Sequence, residues 1–141
     1  MEWSLSRPAV LVACGSSKLS RASRAGDLYT SDLFRKSRAW AERFGSIWFV
    51  LSAKHGLLPP DAVIEPYDVT LSTMSPVERN AWSRTVSSQW DTTVWVGPVV
   101  VLAGLLYRDW IAGRGFDVPM AGLGIGQQKS WLKHRLEVPS R

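Results

Sequence analysis

Three short, continuous apolar runs, at residues 8–13, 47–51 and 98–103, constrain this chain more than any other feature. Runs of β-branched and aliphatic residues with no polar alternation suit strands covered on both faces, the condition of a parallel sheet. The stretches between them carry helix signals. Thr30 or Ser31 is placed to cap a helix to about Phe44, with Leu33, Trp40, Ala41 and Phe44 on one face, arginines on the other and Gly45 as its stop. Ser75-Pro76-Val77-Glu78 joins a capping box to a proline at the first helical position, opening a helix to about Gln89. A short helix over 105–112, a fourth strand over 116–120 and a final helix over 126–136 complete the reading. Strands alternating with helices give βαβ crossovers. The expected fold class is α/β, a three-layer sandwich with a mainly parallel central sheet, forming a single domain over residues 1–141.

In such a sheet, the segments leaving the carboxyl ends of the strands gather along one edge, where ligands bind. The first run empties into Cys14-Gly15-Ser16-Ser17-Lys18, whose small residues allow close backbone approach and whose lysine brings positive charge, the makings of an anion cradle. Cys14 is alternatively a small buried residue closing the strand. The second run empties into Ser52-Ala53-Lys54-His55-Gly56-Leu57. His55 titrates near neutrality and can donate to a leaving group, Lys54 can act as electrophile or phosphate clamp, and Gly56 permits an unusual turn. The other reading of His55 is a satisfied structural histidine. Asp27, Tyr29 and Ser31 fall at the entry of the first helix, on the same edge, as ligand contacts or as ordinary capping residues.

Pro59, Pro60 and Pro66 make 58–73 an extended excursion without periodicity, the pattern of a lid. Within it, Tyr67 and Asp68 pair an aromatic for stacking on a base with a carboxylate for orienting a hydroxyl or water; the plain alternative is a turn. Gly122, Gly124, Gly126 and Gln127 precede the last helix and suit a phosphate cradle, but the spacing is not that of a dinucleotide fingerprint, so no cofactor is expected. No cluster has metal-ligand spacing.

The net charge is +5, and between Lys18 and Arg43 seven basic residues (Lys18, Arg21, Arg24, Arg35, Lys36, Arg38, Arg43) face three acidic ones. Such a patch favours polyanions, or is simply a solvated helix face. Of eight tryptophans, Trp40, Trp48, Trp82 and Trp95 sit in apolar contexts and are expected in the core, while Trp3, Trp110 and Trp131 are candidate stacking platforms. One cysteine excludes an internal disulfide. With no apolar run of ~20 residues and no basic-then-apolar start, the expected location is the cytoplasm.

Taken in order, Cys-Gly-x-x-Lys, Asp-Leu-Tyr-x-Ser-x-x-Phe, Ser-Ala-Lys-His-Gly-Leu, Pro-Tyr-Asp and Ala-Gly-Leu-Gly-Ile-Gly resemble a YaaA-like group of small bacterial and phage proteins, over residues 9–131. A more distant similarity is to the catalytic domain of archaeosine synthase. Cys14 and Lys18 keep that domain's spacing, Tyr29 and Ser31 follow only after an insertion, and Phe34 stands where that family has histidine. The resemblance implies a uracil-DNA-glycosylase-like fold and a connection to DNA or modified nucleobases.

The functional expectation is an enzyme acting on a nucleobase, nucleotide or nucleic-acid base, at an N-glycosidic bond, with a nucleotide or DNA as partner. Asp68 or Asp27 would face the developing oxocarbenium, His55 or Lys54 would donate to the base, and Lys18 and the serines would hold phosphate. The rival is a noncatalytic DNA-binding stress protein with a nucleotide-sized pocket.

Overall fold

The computed structural model describes residues 7–138. Its main sheet has four strands, in the spatial order 56–58, 47–52, 9–13, 99–102. β1 (Ala9–Ala13) is central, parallel to β3 (Ile47–Ser52) on one side and to β6 (Val99–Leu102) on the other. Ala9, Val10, Leu11 and Val12 have no exposed surface, which is the physical reason their sequence shows no polar alternation.

Adjacent strand residues point to opposite faces of a sheet. Trp48 meets Phe34 of α2 (Asp32–Phe44), whereas Phe49 meets Trp90 of α3 (Pro76–Asp91), so helices lie on both faces. α4 (Ile125–Glu137) packs on α2, where Trp40 and Trp131 approach to 6.0 Å between ring centroids. Both capped helices begin where the sequence places them. Ser31 Oγ accepts the Phe34 N–H, and Ser75 and Glu78 form the reciprocal capping box. The mixed α/β class therefore stands.

Several finer expectations do not. The second polar motif, expected as a loop leaving the carboxyl end of its strand, is a tight hairpin. Ser52 pairs with Gly56, and β4 (Gly56–Leu58) returns antiparallel to β3 at the sheet edge. The stretch over 116–120 makes one parallel bridge, Asp117 to Val100, rather than a full strand. The short helix over 105–112 is two 3-10 turns, Leu105–Tyr107 and Asp109–Ile111.

The excursion over 58–73 is not structureless. β5 (Val63–Ile64) pairs with β2 (Ser23–Arg24), the Ala25 and Gly26 N–H groups of α1 (Ala25–Leu28) donate to the Ala62 and Pro60 carbonyls, and Leu71–Thr73 forms a 3-10 turn. It is a strapped-down segment, not a flap waiting to close. Trp40 and Trp82 are buried as expected, and Trp48 and Trp95 are half-buried against the core. Trp110, expected as a stacking platform, is buried against Phe116, and Trp131 packs on Trp40; Trp3 lies outside the described residues. Among the described residues no helix is long and apolar enough to cross a membrane.

Candidate functional site

The loop leaving β1 is held from both sides. Cys14 N–H donates to the Leu51 carbonyl, Thr30 N–H to the Ser17 carbonyl, and Lys18 pairs with Tyr29 in an antiparallel bridge. Gly15 passes so close to Ser31 that a Cβ built on it would lie 3.0 Å from Ser31 Oγ. A side chain at position 15 would therefore disturb the cap of α2, which explains glycine there without any ligand.

Two cavities flank this loop. On the α2–α4 side lies a slot of about 230 Å³, lined by Cys14 and Gly15 of the loop, by the cap Ser31 and by Phe34 and Ser37 of α2, and by Tyr107, Met120 and Gln128 among others. On the other side a more open basin of about 270 Å³ is lined by Ser16, Lys18, Leu19, Pro66, Tyr67 and Asp68. The first cavity has no charged lining residue; the second has a lysine and an aspartate. One loop thus separates an apolar compartment from a charged one.

Beneath the basin runs a buried chain of hydroxyls. Tyr29 Oη and Tyr67 Oη are 2.6 Å apart, and Tyr67 Oη is 2.8 Å from Ser52 Oγ, which also accepts the His55 N–H at 3.0 Å. The Trp82 indole donates to the Ser52 carbonyl. Burial pushes the Tyr29 phenol up to about 12 and raises Tyr67 and Tyr107 further, so all three remain protonated donors at neutral pH. Lys18 Nζ stands 4.4 Å from the centre of the Tyr67 ring, and the His55 ring meets the same tyrosine edge-on at 5.7 Å. Tyr67 is the hub that fixes Lys18, His55 and Ser52 relative to one another.

Burial holds the His55 imidazole below its ordinary range, and the Lys54 ammonium adds to the effect. The folded state thus prefers neutral His55. That preference stabilises the fold fully above the ordinary histidine value of about 6.5 and is lost as pH falls below it toward the folded-state value. His55→Gln is expected to flatten part of the acid-side loss of melting temperature below about pH 6.5. Identical pH profiles for the two proteins would show that His55 contributes nothing to it.

The hairpin holding His55 is clamped by a residue the sequence reading missed. Gln89 of α3 accepts the Leu57 N–H through Oε1 and donates to the His55 carbonyl through Nε2. No motif marks Gln89, because its role depends on α3 crossing the β3–β4 turn. Tyr107 was missed for the same reason: its hydroxyl reaches Cys14 Sγ at 3.4 Å from a 3-10 turn after β6.

The other expected site residues divide clearly. Cys14, Gly15 and Ser31 line the slot; Ser16, Lys18, Tyr67 and Asp68 line the basin; Ser52 and Tyr29 lie buried beneath it. Ser17 contributes its carbonyl to Thr30, as a loop brace. Lys54 and His55 line neither cavity; Lys54 is exposed and His55 half-buried. Asp68 is exposed, and no hydrogen bond among the described residues joins it to the hydroxyl chain. Asp27 is engaged by Arg38 at 2.5 Å, and that hydrogen bond holds its carboxyl below the usual carboxylate range.

The glycine segment is not a phosphate cradle. Gly122 turns the chain at φ +81°, Gly124 precedes α4 as its cap, and Gln127 Oε1 is spent accepting the Gly124 N–H at 3.0 Å. Gly122, Gly124, Gly126 and Gln127 line neither cavity, whereas their neighbours Ile125 and Gln128 line the slot. The basic patch is similarly consumed. Arg24 pairs with Asp61, Lys36 with Asp32, Arg38 with Asp27 and Glu42, and Arg43 donates to the Leu136 and Val138 carbonyls. Of the seven basic residues, Arg35 and Arg21 remain as exposed charges without an ion pair among the described residues, and Lys18 belongs to the basin.

Comparison with known proteins agrees with the extent of this architecture. Residues 9–134 match the model of a family of unknown function, DUF6884, and the chain belongs to that family. It is also 36% identical over 73 residues to the uncharacterized protein YfjM of Bacillus subtilis (strain 168), a match covering 47% of this chain and 49% of that protein. The chain thus spans about half the length of the curated relative it matches. No solved structure matches significantly.

Proposed function

We propose that this DUF6884 member binds a nucleotide-like ligand astride the β1 loop and hydrolyses its N-glycosidic bond. The observation that carries the reading is the pairing of an uncharged slot with a charged basin on either side of Gly15 and Ser16. A nucleotide has the same division, an apolar flat ring at one end and an anion at the other. Lys18, whose ammonium stands over the Tyr67 ring and donates to the Ser16 carbonyl, would meet the phosphate, and Asp68 on the same rim would face the sugar. The resemblance to the YaaA-like group, and through it to uracil-DNA-glycosylase-like folds, is part of this proposal and points to the same ligand class.

The reaction balances with water alone. The C1′–N bond breaks with its electron pair going to the base, water oxygen adds to C1′, and the water's proton is taken up by the base. Asp68 would stabilise the positive charge developing on the sugar and orient the water. His55 would act through Tyr67 as a positioning residue, since it lines neither compartment. A noncatalytic DNA-binding role has less support, because four of the seven basic residues near α2 are held by internal partners.

The test is release of free base from a panel of nucleosides and nucleoside monophosphates, followed by chromatography. Release is expected from at least one monophosphate, and faster from it than from its nucleoside. Binding without release would leave a nucleotide-binding protein and remove the hydrolase.

A further inference from the structure

We infer that the slot reads an uncharged flat heterocycle and that Ser37 is its specificity-determining hydroxyl. This rests on the nucleotide reading and names which part of the ligand enters the slot and what recognises it. Four observations converge.

The slot is lined by no lysine, arginine, histidine or carboxylate, so an ionised group would enter it unpaired, at a high desolvation cost. Its volume of about 230 Å³ lies below the roughly 300–1,000 Å³ of pockets that enclose a whole drug-sized ligand. It therefore suits a ring system rather than an entire nucleotide. Phe34 and Tyr107 supply aromatic lining and Met120 an adaptable apolar one, which favours a planar guest.

Ser37 is the fourth observation. It occupies the buried face of α2, in series with Phe34, Trp40 and Ala41, where packing alone calls for an apolar residue. It is 3% exposed and lines the slot. Its hydroxyl has no hydrogen-bond partner among the described residues, although a helical serine can bond the carbonyl four residues back. Ser37 is nearly buried and its hydroxyl keeps its remaining accessible surface in the slot, so a ligand there can satisfy it in place of water. The neighbouring polar lining is already partly committed: Ser31 Oγ to Phe34 N–H, Cys14 to Tyr107, and Gln128 Nε2 to the Leu123 carbonyl. That leaves the Ser37 hydroxyl and the Gln128 Oε1 acceptor as the recognition pair. A hydroxyl that can donate or accept and an amide acceptor, both lining the slot, offer partners to the donor and acceptor on the edge of a nucleobase.

The experiment is ligand-observed NMR on the full chain with free uracil, cytosine, adenine and hypoxanthine, and separately with inorganic phosphate and the matching nucleoside monophosphates. Wild-type protein is expected to bind at least one free base. Ser37→Ala should weaken that base roughly 5- to 10-fold, the scale of one hydrogen bond, while leaving the melting temperature and phosphate binding unchanged. Ser37→Val, which also fills space, should abolish it; should that variant fail to fold, the alanine variant decides alone. Failure of all four bases to bind wild type, or unchanged base affinity in Ser37→Ala, overturns the inference. If bases bind and respond to Ser37 but Lys18→Gln leaves monophosphate affinity unchanged, the slot stands and the nucleotide reading falls.

Discussion

Gly56→Ala should cost about 2–4 kcal/mol of stability, from a left-handed backbone forced on a residue with a Cβ and from a lost buried hydrogen bond. Gly56 sits at φ +75°, and a Cβ there would lie 2.3 Å from Gln89 Oε1. Gln89 cannot yield without releasing the Leu57 N–H it binds at 2.7 Å and loosening its 3.2 Å bond to the His55 carbonyl. The hairpin in turn holds Ser52, and Ser52 holds Tyr67. Damage at Gly56 therefore reaches the hub of the site. A fall in melting temperature on the order of 10 °C is expected for a chain of this size, with impaired ligand binding in the surviving folded fraction. A loss below about 0.5 kcal/mol, the range of an ordinary surface change, would mean that Gln89 does not clamp the turn.

The second large effect is on chemistry rather than stability. Asp68→Asn is expected to lower base release by about a hundredfold or more, the scale of an acid–base group. The carboxylate is exposed, and among the described residues it makes no ion pair or side-chain hydrogen bond that its loss would break. The variant should melt with the wild type and bind ligand as tightly, since Lys18 and the slot are untouched. Equal turnover in the variant would remove Asp68 from the reaction and reduce it to a residue of the basin rim.

Local chemistry explains which parts of this architecture were legible. The β1 run, the Ser31 and Ser75 caps and the buried strands declare themselves because each signal lies within a few neighbouring residues. The β3–β4 hairpin was hidden because Gly56-Leu57-Leu58 is too short to show alternation and Gly56 reads equally as a loop glycine. Tyr67 appeared as a stacking residue on a free lid; its burial at 8% exposure and its bonds to Tyr29 and Ser52 depend on a strap that only tertiary pairing with β2 creates. The glycine segment misled because glycines spaced by two suggest a cradle, while the actual need was one turn at Gly122 and one cap at Gly124. Ser37 carried no sequence signal at all. A serine on a helix becomes informative only when its surroundings prove to be apolar and one side proves to be empty.

If one ligand spans slot and basin across the β1 loop, a crystal of the chain soaked with a nucleoside monophosphate will show it in place. The ring is expected between α2 and α4 within hydrogen-bond reach of Ser37 Oγ, the phosphate within reach of Lys18 Nζ, and the sugar beside Asp68. A nucleotide seated elsewhere on the surface, or with its phosphate in the uncharged slot, would contradict this placement.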